Sequence, residues 1–227
     1  MTGTGILFGV GVGPGAPDLV TLRAARLIGA AEVLAYPALA GAESLARGIV
    51  ADLIPAGCRE IAIEVPMTTD RAPAQTAYDA GAARIAAELG AGRNVVVLCE
   101  GDPVFYGSFM YLQARLSPRF AVEVVPGVTS LTACAARAGR PLAARNERVT
   151  VLPGPLPEDE LRSRIAGAET VAVMKVGRHL PKIRAVIDGL GLTERAVYVE
   201  RATMPGERVC PLSEAPAAAP YFSMILL

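Results

Sequence analysis

Residues 93–112 read "RNVVVLCEGDPVFYGSFMYL", and the fold turns on how this run divides. Val95, Val96, Val97 and Leu98 form an unbroken apolar stretch. A strand of that kind is buried on both faces, as in a parallel sheet covered by helices. Gly101 and Pro103 then break the chain, and a helical pattern resumes in "GSFMYLQARL", with Phe109, Met110 and Leu112 fitting a core face. Strand, break and helix make the repeating unit of an α/β fold. Ligands in such folds bind beyond the carboxyl ends of the strands, so the break is a candidate site. Gly101 permits close approach, Asp102 offers a carboxylate and Pro103 fixes the turn. The same residues are compatible with an ordinary turn in which Asp102 accepts from nearby backbone N–H groups. Of the five Phe and six Tyr, four lie at 105–111. Phe105 and Tyr106 precede the helix and are the pair placed to meet a ligand.

The rhythm extends in both directions. Strands are predicted in "GILFGVGV" (5–12), "EVLAYP", "EIAIEVP" and "RFAVEVVPGV" (119–128), and helices over 17–31 with Asp18 as cap, in "AESLARGIVADLI", and over 72–92 before a glycine stop. After a helix from Ser130, strands fall in "RVTVLPG", "TVAVMKV", "RAVYVERAT", "ERVCPL" and "YFSMILL", with helices in "PEDELRSRIAG" and "LPKIRAVIDGL". This predicts two α/β domains with mostly parallel sheets, 1–118 and 119–227, hinged near 117–122. The closing strands, with no helices between them, predict an antiparallel edge to the second sheet.

Composition narrows the function. The 227 residues are 52% hydrophobic, enough for one large core or two modest ones. Twenty-two basic and 22 acidic residues cancel, without like-charged runs, so no footprint for nucleic acid is visible. The start, "MTGTGILFGVGVGPGAPD", lacks a basic n-region, and no apolar stretch approaches a membrane span. A soluble cytoplasmic protein is expected. Cys58, Cys99, Cys134 and Cys210 form no C-x-x-C pair and His179 is the single histidine, poor material for a metal site or a Ser-His-Asp triad. Each cysteine lies in or beside an apolar stretch and is expected to pack as a small hydrophobe.

Two further loops follow predicted parallel strands. In "GVGVGPGAPD", Gly11, Gly13 and Ala16 match G-x-G-x-x-G/A, the fingerprint of a dinucleotide-binding turn. That fingerprint requires an acid at the end of the second strand, which here reads "LAYPAL", and Pro14 removes an N–H from the turn. A binding module or a nucleotide-dependent oxidoreductase using this loop is therefore the alternative of a different class. In "VVPGVTS" (124–130), Thr129 and Ser130 stand at a helix start, able to bind polar ligand atoms or simply to cap the helix.

Taken in order, "GVGPGAPDLVTLRAARLI", "EGDPVFYGSF", "VVPGVTS" and "VMKVGR" resemble the tetrapyrrole methylases, which use S-adenosyl-L-methionine. The resemblance spans essentially the whole chain. Within the family, "GDPVFYGSFMYL" is similar to the branch that methylates C-20 of precorrin-2 in cobalamin biosynthesis, rather than to the uroporphyrinogen III methylases. The resemblance implies two α/β domains with the cofactor in the cleft between them, in a homodimer. It implies that Pro14 lies by the cofactor, that Glu100, Gly101 and Asp102 line its methionine moiety, and that Val104, Tyr106 and Gly107 close the loop around it. It further implies contacts from Thr129 and Ser130, and an approach of Met174 and of Arg201, Ala202 or Thr203 to the adenosine. Two positions depart from the family's pattern: Glu100 stands at a frequent glycine, and Lys175 follows Met174 where glycine is common.

The chemistry agrees with the absence of metal or triad material. A sulfonium methyl is already electrophilic, so the protein mainly orients the reactants and keeps the site dry. A carboxylate near the cofactor's positive groups is favourable, which gives Asp102 and Glu100 a physical role. The tetrapyrrole carries several carboxylates, for which Arg137, Arg140, Arg145, Arg148 and Arg178 are candidate partners. Gly13, Phe105, Arg140 and Arg145 are the residues expected to meet the substrate. Tyr106, Glu64 and Asp70 are candidates for accepting the proton released after methylation. Alternatives within the family are another ring position or a cobalt-containing substrate.

Overall fold

Val95–Cys99 (β4) is the middle strand of a five-stranded sheet in the computed structural model, which describes residues 3–39, 41–66 and 72–227. Leu7–Gly11 (β1) and Val33–Ala38 (β2) flank it, with Arg59–Glu64 (β3) and Val122–Val125 (β5) at the edges. Every pairing is parallel. Both faces are covered, as the unbroken apolar pattern of β4 requires. Val95 and Val97 join Leu7, Ile61, Ile85 and Leu89 in one core, whereas Val96 and Leu98 join Val10, Ala24, Ile28 and Ile49 in the other.

The helices of this sheet are Leu22–Gly29 (α1), Leu45–Ile49 (α2), Ala72–Gly90 (α3) and Phe109–Leu116 (α4). The predicted 17–31 helix is two pieces: Pro17–Leu19 makes a separate 3-10 turn, Val20 and Thr21 are extended, and Thr21 rather than Asp18 caps α1. Its hydroxyl oxygen accepts from the Ala24 N–H at 3.2 Å. Thr21→Ala should therefore cost about 1 kcal/mol, read as a lowered urea midpoint. An unmoved midpoint would show that the cap contributes nothing.

The glycine in the middle of β1 has a packing reason. A Cβ on Gly9 would lie 2.4 Å from the Phe109 ring, so the bare strand makes room for the first aromatic of α4. Phe109 and Leu112 are buried as predicted, but Met110 is 41% exposed, because the buried face of this short helix runs through Phe109, Leu112 and Leu116, at i, i+3 and i+7.

The structure separates into Met1–Thr129 and Ser130–Leu227. The expected boundary at 118/119 falls too early, because β5 pairs with β1, Leu7 opposite Val122, and completes the first sheet.

The second unit holds the helices Ser130–Arg137 (α5), Glu158–Ala166 (α6) and Leu180–Gly189 (α7). Its strands are Val149–Pro153 (β6), Thr170–Met174 (β7), Val197–Glu200 (β8), Arg208–Pro211 (β9) and Ser223–Leu226 (β10), in the order β6-β7-β10-β8-β9. Only β6 and β7 pair in parallel. The closing strands therefore do more than add an edge: β10 enters between β7 and β8, antiparallel to both. The first sheet fits the mostly parallel prediction, while the second is mixed. Leu152, Leu161, Val173, Ile183, Tyr198 and Ile225 fill its core.

Cys99 and Cys134 are buried, and Cys58 and Cys210 half-buried. Burial raises all four thiols, that of Cys134 to about 12, so they pack and are poor nucleophiles. Among the described residues no helix is long and apolar enough to cross a membrane, and no three His, Cys, Asp or Glu side chains gather into a metal-binding group.

Candidate functional site

The loops after β4, β1 and β5 leave three adjacent strands and are tied together by backbone. Gly13 and Gly101 form an isolated antiparallel bridge. The Gly101 N–H donates to the Gly13 carbonyl at 2.7 Å, and the Gly13 N–H donates back at 3.3 Å. Gly101 has φ 65° and Gly13 has φ 80°, conformations that glycine adopts at no steric cost. Gly11, at the end of β1, and Gly127, after β5, meet them closely. A Cβ on Gly127 would stand 2.1 Å from the Gly101 carbonyl oxygen, and one on Gly11 would stand 2.6 Å from it. Three backbones converge where no side chain fits.

Asp102 fixes this junction. It is only 8% exposed, and its Oδ1 accepts from the Val104 N–H at 2.9 Å while Oδ2 accepts from the Gly127 N–H at 3.1 Å. The carboxylate predicted to face a cofactor is thus also the tether between the loops after β4 and β5, as the ordinary-turn reading foresaw in part. Pro103 is buried behind it. Gly107 closes the turn, where a Cβ would lie 2.6 Å from the Pro103 carbonyl.

Glu100 is half-buried. Burial pushes its carboxyl above the usual range, against the pull of its own N–H and that of Ala46 in the first turn of α2. A carboxyl so placed gains from a neighbouring cation. Val104 and Tyr106 are exposed and Phe105 is half-buried, its ring edge-on to Tyr106 at 5.2 Å. These three residues form an apolar rim beside the two carboxylates. Behind the rim, Ser108 hydrogen-bonds the Tyr78 phenol, which burial raises to about 12. Pro14 and Thr129 are half-buried, and Ser130 begins α5.

In the second unit Met174 ends β7, 8% exposed. Lys175 follows with φ 55°, a left-handed conformation that explains why glycine suits this position in the related pattern. The Gly177 N–H donates to the Ser223 Oγ at 3.3 Å. After β8, Arg201 (φ 49°) and Thr203 (φ 65°) are left-handed as well, and Ala202 between them is buried. Together with Tyr106 (φ 56°) and Arg145 (φ 51°), these are the non-glycine residues with positive φ among those described. Four of the five were singled out from sequence as site residues, and the fifth is Lys175. Strained backbone concentrates at functional sites.

The candidate arginines fare differently. Arg140 donates to the carbonyls of Arg195 and Leu226, and burial lowers its pKa, which makes it a tie within the second unit. Arg137 pairs with Glu207 and Arg148 with Glu169. Arg145 and Arg178 are exposed. Of the proton acceptors, Glu64 is exposed at the end of the edge strand β3, and Asp70 lies outside the described residues. Sequence reading passed over Gly127 as a contact-setting glycine and Glu207 altogether. The Pro-Gly pair after β5 signalled the first, while nothing local in "RATMPGE" marks the second.

Comparison with known proteins sets this geometry among relatives. The profile described as Tetrapyrrole (Corrin/Porphyrin) Methylases matches residues 7–216. A precorrin-2 C(20)-methyltransferase of Sinorhizobium sp is 44% identical, over 99% of this chain and 96% of its own. A cobalt-precorrin-2 C(20)-methyltransferase of Salmonella typhimurium is 36% identical, over 98% and 96%. Among solved structures, the uroporphyrin-III C-methyl transferase of Thermus thermophilus, complexed with S-adenyl homocysteine, superposes with a TM-score of 0.71 at 28% identity, covering 98% of this chain and 97% of that one.

Proposed function

We propose a specific activity on one premise: the chain belongs to the tetrapyrrole (corrin/porphyrin) methylase family. The reaction is transfer of a methyl group from S-adenosyl-L-methionine to C-20 of precorrin-2, giving precorrin-3A and S-adenosyl-L-homocysteine. The observation that carries it is 44% identity across nearly the full length of a precorrin-2 C(20)-methyltransferase.

The residues present fit the cofactor. Gly11, Gly101 and Gly127 converge so tightly that a Cβ on Gly11 or Gly127 would collide with backbone, which leaves a cradle of main chain, without side chains, at the ends of β1, β4 and β5. Two carboxylates, Glu100 and Asp102, stand beside that cradle, as suits a ligand bearing a sulfonium and an ammonium. When bound, S-adenosyl-L-methionine supplies an electrophilic methyl group. Asp102 holds the loops in register, Glu100 offers negative charge, and Phe105 and Tyr106 supply an apolar rim that excludes water from the acceptor carbon. Pro14, Val104, Gly107, Thr129 and Ser130 complete the set on the first unit's loops and the start of α5. Met174, Arg201, Ala202 and Thr203 are assigned to the adenosine by resemblance. Gly13, Phe105 and Arg145 are proposed to meet the tetrapyrrole, with Arg140 held back by its carbonyl partners. Tyr106 is the proton-acceptor candidate retained. A homodimer in the cytoplasm, without nucleic acid, completes the reading.

The test is incubation of the purified protein with precorrin-2 and methyl-labelled S-adenosyl-L-methionine, followed by mass spectrometry and NMR. One label at C-20 is expected, and a label on any other carbon would sink the assignment. Running cobalt-precorrin-2 in parallel decides between the metal-free and cobalt-containing substrates.

A further inference from the structure

We propose that Glu207 is a positioning residue for the cofactor, holding the 201–207 turn in a left-handed shape that its sequence does not favour. The inference rests on reading Arg201, Ala202 and Thr203 as cofactor contacts. Arg201 and Thr203 both have positive φ without being glycine, and Thr203 is β-branched, for which that region is most costly. Such a conformation persists only where surrounding bonds over-determine it.

Those bonds are present. The Arg201 N–H donates to the Phe222 carbonyl at 2.8 Å, the Met204 N–H to the Arg201 carbonyl at 2.9 Å, and the Glu207 N–H to the Met204 carbonyl at 3.1 Å. The Thr203 N–H, inside the turn, donates to Glu207 Oε2 at 2.6 Å. Arg137, in the last turn of α5, donates from Nε to both oxygens of the same carboxylate at 2.7 and 2.8 Å. Arg137 holds the Glu207 carboxyl below its ordinary range, the Thr203 N–H adding to the effect, so the group is charged at neutral pH.

The Glu207 side chain is 17% exposed, against 54% for Arg137. An exposed ion pair alone would do little. Here the carboxylate is the shared corner of two things: the strained turn, and the helix that starts at Ser130. One side chain thereby sets two candidate contact segments of the second unit.

The experiment is calorimetric titration of the full chain with S-adenosylhomocysteine, with steady-state kinetics alongside. Glu207→Ala should weaken binding roughly 10-fold and raise the cofactor's KM equally, with kcat within about twofold, because saturating cofactor restores the turn. Glu207→Gln keeps an oxygen for the Thr203 N–H and should bind within about threefold of the unaltered chain. Unaltered affinity in E207A, or equal damage from E207A and E207Q, would each overturn the proposal. If E207A does not fold, Glu207→Asp decides, its carboxylate one methylene short of the Thr203 N–H: binding weakened by about threefold or more supports the proposal, and unaltered binding overturns it. Absence of binding by the unaltered chain would instead overturn the functional reading on which this one rests.

Discussion

Replacing Gly127 by alanine is expected to weaken S-adenosylhomocysteine binding by at least ~100-fold, the scale on which a displacement of about 1 Å acts at a site. The added methyl would stand 2.1 Å from the Gly101 carbonyl oxygen and 2.8 Å from the Gly11 Cα. Neither neighbour is the end of a flexible side chain. The loops after β1, β4 and β5 must separate, and the Asp102 tether to Gly127 lengthens with them. Overpacking of this kind costs about 1–3 kcal/mol of stability, so the variant should fold while losing the cradle. Gly90→Ala is the matched control: a Cβ there meets nothing within 4 Å, and it sits at the end of α3, away from the loops. Binding by the Gly127 variant within about threefold of the unaltered chain would show that the cofactor does not depend on this convergence.

The second large effect is expected at Asp102. Asp102→Asn keeps one acceptor oxygen but turns an amide N–H₂ toward either the Val104 or the Gly127 N–H, donor against donor. That mismatch in a buried position should cost about 1–3 kcal/mol of stability and weaken S-adenosylhomocysteine binding by roughly 10- to 100-fold as the loops come apart. The decisive comparison is between the two losses. If affinity falls while the denaturation midpoint stays put, the carboxylate acts on the cofactor by its charge, and its role as tether is secondary. If the midpoint falls and affinity does not, the tether has no bearing on the site.

The reach of the sequence is clearest at this junction. The "EGDP" break was visible because glycine, aspartate and proline are punctuation whose meaning depends little on what surrounds them. That Gly13 and Gly101 bridge each other was not legible, since a backbone pairing between residues 88 positions apart leaves no mark in either loop. The two carboxylates were identified, but not the division between them. Asp102 is committed to two N–H donors, whereas the raised pKa of Glu100 depends on its burial beside α2, a tertiary fact. The arginines misled for the complementary reason. Arg137 and Arg140 look like free cations in a sequence, and only the fold supplies Glu207 and two carbonyls as their partners. The late strand "YFSMILL" was recognised from its apolar run, yet position within a sheet is set by which partners remain open, and periodicity does not encode that.

That strand has a consequence for the order of assembly. β10 is the last element of its sheet in chain order and sits between β7 and β8. Until residues 223–226 leave the ribosome, the β6–β7 pair and the β8–β9 hairpin have no strand in common. Each presents an open edge, the hazard that makes unfinished sheets prone to associate with other chains. The first sheet meets its own wait earlier, at β4, which joins β1 to the β2–β3 pair, and its final strand, β5, emerges before any residue of the second unit. Vectorial synthesis thus gives one half of this protein a finished sheet early, and leaves the other half waiting on its final strand.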